Sequence, residues 1–266
     1  MIKMIATDID GTILKWGLDF SPKLLKCVQE LKENGIKLVL VTGRMHCATI
    51  PVAKKLGIDT PIISYQGGLI KDFNNKTLYQ RNLPNNYAKE IIKWARKNNI
   101  HINLCLDDKL YVEHDNDIVK SYTDGKFIDY TVCSFDDLSI DNVNKILAID
   151  PQDPDRVTGW VEELKQKYPD LYIVKSTPYF CEIGSGEAKK SLGVEFLRNM
   201  WGIKKEEVLT IGDQNNDIDL VQAGGIGIAM GNGTPELKAC ADFITDTVEN
   251  DGFVKAVEKF VNFKVR

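Results

Sequence analysis

The apolar positions of this chain fall into short solid runs and into helical repeats, and the two kinds alternate. Residues 2–7 make a short apolar run of strand length. Ser21-Pro22 then supplies a helix cap followed by proline at the first helical position. Leu24, Leu25, Val28 and Leu31 recur at helical spacing, and Gly35 closes the segment. Residues 36–41 are nearly all apolar, as expected of a strand covered on both faces. A helix is predicted over 44–56, ending at Gly57, and a third strand over 61–65. Strands joined by helices of this length predict right-handed parallel crossovers in one sheet.

The C-terminal third resumes the pattern. Helices are predicted over 187–200, 217–223 and 251–260, with strands over 208–211, 227–230 and 243–245. Thr234-Pro235-Glu236 opens one more capped helix. The middle differs. Helices over 87–97 and 155–167 are mixed with strands over 145–149, 171–175 and 179–183, and Asp107-Asp108-Lys109 reads as a hairpin turn between strands over 102–106 and 110–113. The expected architecture is therefore α/β: a Rossmann-like parallel-sheet core with helices on both faces, discontinuous over 1–82 and 184–266. A mixed, partly antiparallel α/β module is inserted over 83–183, with Pro84 and Gly184-Ser185-Gly186 as expected hinges.

Composition narrows the class. With 266 residues, 43% of them hydrophobic, the chain can bury one large core or two medium ones. A net charge of −4 without a basic stripe argues against nucleic acid or an anionic membrane as the main partner. No apolar run is long enough to span a bilayer. No export leader precedes the first strand, so the chain is expected to be mature, soluble and cytoplasmic. Cys27, Cys47, Cys105, Cys133, Cys181 and Cys240 stand singly, without a C-x-x-C pair, and are expected to be reduced packing residues. His46, His101 and His114 lack metal-ligand spacing. Trp16, Trp94, Trp160 and Trp201 are expected in core or module packing. Oligomeric state is not legible.

Candidate chemistry gathers at strand ends. Asp8 and Asp10, two apart, would share one side of an extended segment, and packing alone gives no reason to end a buried strand on two acids. Such a pair can hold a hard cation and offer one carboxylate as nucleophile. Thr42-Gly43-Arg44 ends the second strand with a hydroxyl and backbone N–H groups suited to phosphate. Lys189-Lys190 opens the helix after the module, and Gly212-Asp213-Gln214-Asn215-Asn216-Asp217 follows another apolar strand. All would meet at the carboxyl edge of one sheet, where ligands bind in open α/β folds.

In the order and spacing of these four segments, and in Gly227-Ile-Ala-Met-Gly231-Asn232 and Asp251-Gly252-Phe253-Val254, the chain resembles the haloacid dehalogenase superfamily in its Cof-like branch of sugar-phosphate-type phosphatases. The resemblance covers most of the chain. It implies a phosphoric monoester hydrolase in which Asp8 attacks phosphorus and Asp10 serves as acid and then base. It further implies Mg²⁺ held by Asp8, the Asp10 carbonyl and Asp213. Phosphate would be bound by Thr42, Gly43, Lys190 and Asn216, with Asp217 steering the metal or Lys190. The inserted module becomes a cap that selects small phosphorylated metabolites, sugar phosphates first and phosphorylated cofactors behind them. Tyr179 and Phe180 are weak candidates for substrate contact.

Ser191 stands where the family usually has glycine, which leaves Lys189 open beside Lys190. Gln66-Gly67-Gly68 replaces the usual Asn-Gly-Ala, and Gly233 follows Asn232 where alanine is common. Thr42 could also cap a helix, Asp217 could be a helix N-terminal acid, and Arg44 could pair with a cap carboxylate or a surface acid. Two other functions fit the motifs: a phosphomutase, and a non-catalytic protein that binds a phosphorylated metabolite.

Overall fold

The computed structural model describes residues 1–15 and 19–261, so the expectation for Trp16 lies outside the described residues. In chain order, β1 (Met4–Thr7) is followed by α1 (Pro22–Glu33), β2 (Lys37–Leu40), α2 (His46–Leu56), β3 (Ile62–Ser64), β4 (Leu69–Lys71) and β5 (Thr77–Gln80). Next come α3 (Asn85–Lys97), β6 (His101–Leu106), β7 (Lys109–Val112), α4 (Asp117–Thr123), β8 (Tyr130–Val132) and β9 (Val143–Ile149). The chain continues through α5 (Pro154–Lys167), β10 (Leu171–Thr177), β11 (Phe180–Ser185), α6 (Lys190–Met200), β12 (Val208–Gly212) and α7 (Ile218–Ala223). It ends with β13 (Ile226–Ala229), α8 (Pro235–Cys240), β14 (Phe243–Ile244) and α9 (Gly252–Phe260). Two compact units result: Met1–Tyr79 with Lys189–Arg266, and Gln80–Ala188.

The first unit is built on a parallel sheet in the order β14-β13-β12-β1-β2. Along β1 the alternation of a strand divides the core. Ile5 joins Leu24, Val28 and Leu31 of α1 and Phe253 and Val257 of α9 on one face. Met4 and Ala6 join Val194 and Leu197 of α6 and Leu220 of α7 on the other. Helices thus cover both faces, as the solid apolar runs require. The caps form where the sequence puts them: Ser21 Oγ accepts from Leu24 N at 3.1 Å, and Thr234 Oγ1 from Leu237 N at 3.3 Å.

One expected element pairs differently. Among the described residues β3 is laddered to the parallel sheet by a single bridge, Val41 to Ile63, and otherwise pairs antiparallel with β4. The cause is the turn at Tyr65–Gly67, where three successive residues take positive φ and send the chain back as a hairpin.

The second unit holds a six-stranded sheet in the order β10-β11-β9-β6-β7-β8, antiparallel except for β7 with β8. Ile91 and Ile92 of α3 and Val157 and Leu164 of α5 pack on Ile102, Ile146 and Ile183. Asp107 and Asp108 take φ of 50° and 60°, the left-handed pair that a tight two-residue hairpin needs, so this acidic pair is a turn. Helix α4 and strand β8 have no counterpart among the predicted elements; both are short, and Val132 of β8 is exposed. The residues expected as hinges lie in or beside regular elements. Gly184 and Ser185 are laddered into β11, where Gly184 faces both Tyr172 and Lys145, and Pro84 precedes the first turn of α3.

The structure shows no disulfide among the described residues, and burial pushes the thiols of Cys27 and Cys181 up to about 12. Among the described residues no helix is long and apolar enough to cross a membrane.

Candidate active site

β12, β1 and β2 are neighbours, so the residues just past their C-terminal ends converge. Asp8 follows β1 and stays in the ladder, its N–H donating to Ile211 O at 3.0 Å. Its carboxylate is buried, and Lys190 Nζ donates to Oδ1 at 2.6 Å. The same ammonium donates to Asp217 Oδ1 at 2.5 Å. Lys190 is 1% exposed whereas Lys189 is exposed, so of the two lysines Lys190 enters the cluster. A cation at the first turn of a helix opposes the macrodipole, and here the two carboxylates compensate it.

Asp213 and Asp217 come from the turn after β12. Asp217 Oδ2 accepts from the backbone N–H groups of Asp213 and Gln214, each at 3.0 Å, which fixes the turn as well as the carboxylate. Asp213 accepts from Thr12 Oγ1 at 2.8 Å and from Gln214 Nε2 at 3.0 Å. Gly11, at φ +84°, lets the chain pass so close that a Cβ there would stand 2.3 Å from Asp213 Oδ2.

One carboxylate oxygen from each of Asp8, Asp213 and Asp217 lies within 4.8 Å of the others. Burial pushes the Asp8 carboxyl well above its usual range, against the pull of Lys190 and with the push of Asp217 and Asp213. Burial also raises Asp213. For Lys190 burial works the other way, but Asp217 and then Asp8 outweigh it and hold the ammonium. Lys190 pairs with Asp8 and Asp217, and Asp213 stands beside them with only Thr12 and Gln214, among the described residues, donating to its carboxylate. A hard, all-oxygen donor set short of positive charge is what a divalent cation of the Mg²⁺ type requires, so the residues fit such an ion.

Asp10 does not join this cluster. β1 ends at Thr7, and the chain is already turning at Ile9, so the alternation that would align Asp10 with Asp8 is lost. Its carboxylate, 56% exposed, accepts two hydrogen bonds from Arg44, at 2.7 Å from Nε and 2.5 Å from Nη2. The partner of Arg44 is thus Asp10 itself. Thr42 Oγ1 accepts from Arg44 N at 3.1 Å, and α2 begins only at His46, so Thr42 closes the turn before the helix and does not cap it. Asn216 Nδ2 donates to Gln66 Oε1 at 3.2 Å, and the Gln66 amide lies over Gly43.

With four strand-end segments in this arrangement, comparison with known proteins is decisive. The sequence model of haloacid dehalogenase-like hydrolases matches residues 5–257. The chain belongs to that family. A 5-amino-6-(5-phospho-D-ribitylamino)uracil phosphatase of Bacillus subtilis (strain 168) is 24% identical over 97% of this chain and 97% of its own. A haloacid dehalogenase-like hydrolase of Bacteroides thetaiotaomicron superposes with a TM-score of 0.88 at 28% identity, over 97% of this chain and 99% of that one. A subclass IIB sugar phosphatase shares the fold, with a TM-score of 0.84 at 23% identity over 98% of this chain and 100% of that one. This family member is an enzyme of the phosphatase type.

Several residues in or beside the motifs have roles that the motifs do not assign. Thr12 and Gln214 orient Asp213, and Asp219 Oδ2 accepts from Ser191 N at 2.9 Å, tying the start of α6 to α7. Asn232 Nδ2 donates to Gly11 O at 2.8 Å while its Oδ1 accepts from Val248 N at 2.9 Å, pinning the turn after β1. Thr12 was accessible from its place directly after Gly11. Asp219 and Asn232 depend on contacts between distant segments, which spacing does not encode.

Proposed function

We propose that the protein is a Mg²⁺-dependent phosphatase of small phosphomonoesters, sugar phosphates first, that works through an aspartyl-phosphate on Asp8. The observation that carries the reading is Lys190 Nζ held between Asp8 and Asp217 with Asp213 alongside. A carboxylate and a phosphate dianion repel. At ~4 Å and an effective dielectric near ~20 each pair of unit charges costs roughly 4 kcal/mol, about a thousandfold in rate. Lys190 offsets part of that repulsion for both the nucleophile and the incoming phosphate.

The residues that would hold Mg²⁺ are Asp8 and Asp213, with the Asp10 carbonyl. Bound there, the ion would neutralise charge on the phosphate and keep Asp8 ionised. Asp217, both oxygens engaged, orients Lys190 and the 213–217 turn. An Asp8 oxygen attacks phosphorus in line, the P–O bond to the alcohol breaks, and the alkoxide takes a proton from Asp10, which enters this step as the protonated acid. Asp10 then accepts a proton from water as that water attacks the acyl phosphate, which releases phosphate and restores Asp8. Arg44 holds the Asp10 carboxyl at the open side of the turn, so it exchanges one of its two hydrogen bonds when Asp10 meets the leaving oxygen. Thr42, the Gly43 backbone and Asn216 receive the phosphate oxygens.

The unit Gln80–Ala188 is the proposed cap, with specificity residues among its members and in the Gln66-Gly67-Gly68 turn. Sugar-like esters lead because the Bacillus relative is named for a phosphorylated ribityl group and the subclass IIB neighbour is a sugar phosphatase. The test is release of phosphate from a panel of phosphorylated metabolites, with Mg²⁺ and with EDTA. Turnover that needs the ion and favours sugar phosphates is expected. Turnover unchanged by EDTA, or none on any ester, would overturn the reading.

A further inference from the structure

The turn at Tyr65–Gly67 is the most strained piece of backbone beside the site. Tyr65, Gln66 and Gly67 take φ of 51°, 58° and 96° in succession, and only the glycine does so freely. Left-handed non-glycine residues cost of order 1 kcal/mol or more each and persist where surroundings enforce them. Here they are enforced from two sides. Tyr65 N donates to Arg44 O at 3.1 Å and Gln66 N to Thr42 O at 3.0 Å, which docks the turn onto the proposed phosphate-binding loop. On its other side a Cβ on Gly67 would lie 2.1 Å from Lys189 O, so the turn also abuts the residue before Lys190.

This backbone aims one side chain. Gln66 is 6% exposed, and its Nε2 sits where a Cβ on Gly43 would approach to 2.4 Å. Its Oε1 accepts from Asn216 Nδ2 at 3.2 Å. The side chain therefore touches the loop after β2 and the loop after β12, and those strands flank the strand that carries Asp8. A shorter residue at this position would not span from Gly43 to Asn216.

We propose that Gln66 is a positioning residue for phosphate: it sets the separation of the Thr42–Gly43 turn from Asn216 and so fixes the width of the anion site around Asp8. The inference rests on the phosphatase reading above, and it deepens it at a residue where this chain departs from the family pattern.

The test compares wild type, Gln66→Met, Asn216→Ala and the double variant. Met keeps the length and packing over Gly43 but cannot accept from Asn216, so the fold is retained. Losing one partner of a buried hydrogen bond predicts about a tenfold fall in kcat/KM. The same change should raise the inhibition constant of inorganic phosphate about tenfold, with the melting temperature lowered by only about 2–6 °C. In the Asn216→Ala background Gln66→Met should have less than about a twofold effect, because the partner is already gone. Wild-type phosphate inhibition in Gln66→Met, or independent multiplying effects of the two substitutions, would overturn the role of Gln66 while leaving the phosphatase reading intact. A wild-type protein that neither hydrolyses any ester nor binds phosphate by calorimetry would overturn both.

Discussion

At the scale of residues, Lys190 is the group on which charge balance at the site turns. Its ammonium is buried against Asp8 and Asp217, and removing one partner of such a pair leaves the others uncompensated. Lys190→Met is expected to lower stability by about 3–5 kcal/mol in urea titrations and to abolish measurable phosphatase activity. Lys189→Met, at an exposed position, should change stability by no more than about 0.5 kcal/mol. Equal effects of the two substitutions would contradict the assignment. Helical phase held this answer in advance: Lys190 lies four residues before Val194 and seven before Leu197, the buried face of α6. The pairing of Asp10 with Arg44 could not be foreseen in that way. It follows from β1 ending one residue before Asp8, and strand ends are set by pairing with distant segments.

At the scale of elements, α2 carries a buried imidazole at its first residue. Burial, with Lys71 adding to it, holds His46 down to about 4. A positive charge at a helix N-terminus is disfavoured in the same sense. The folded value lies below that of the unfolded chain. The stability contributed by the neutral ring is therefore present above about pH 6.5 and is lost as pH falls toward 4. The full effect is roughly 3 kcal/mol. His46→Gln should flatten the acid limb: the difference in unfolding free energy between about pH 7.5 and about pH 4.5 should shrink by up to that amount. An unchanged slope would show that His46 titrates normally. Helix α1 was legible because cap and apolar repeat agree locally, and α8 through its Thr234 cap. The pairing of β3 with β4 was not, since apolar content marks a strand but not its partner, and the positive φ values at Tyr65 and Gln66 have no side-chain signature.

At the scale of the whole molecule, each unit has its own apolar core, and the second begins and ends at one place: Arg81 Nε stands 3.0 Å from Glu187. Joining residues 79 and 189 through a short Gly/Ser linker should therefore leave a folded first unit. That unit should still hydrolyse a small activated ester such as p-nitrophenyl phosphate but lose discrimination among sugar phosphates. Retained discrimination would place specificity in the first unit. The chemistry itself depends on Asp8 as nucleophile, and rapid quenching tests that most directly. Wild-type protein mixed with a phosphorus-labelled ester and Mg²⁺, stopped in acid and digested, should yield label on the peptide containing Asp8, with none in Asp8→Asn. Turnover with no label on that peptide, or undiminished activity in Asp8→Asn, would contradict the account.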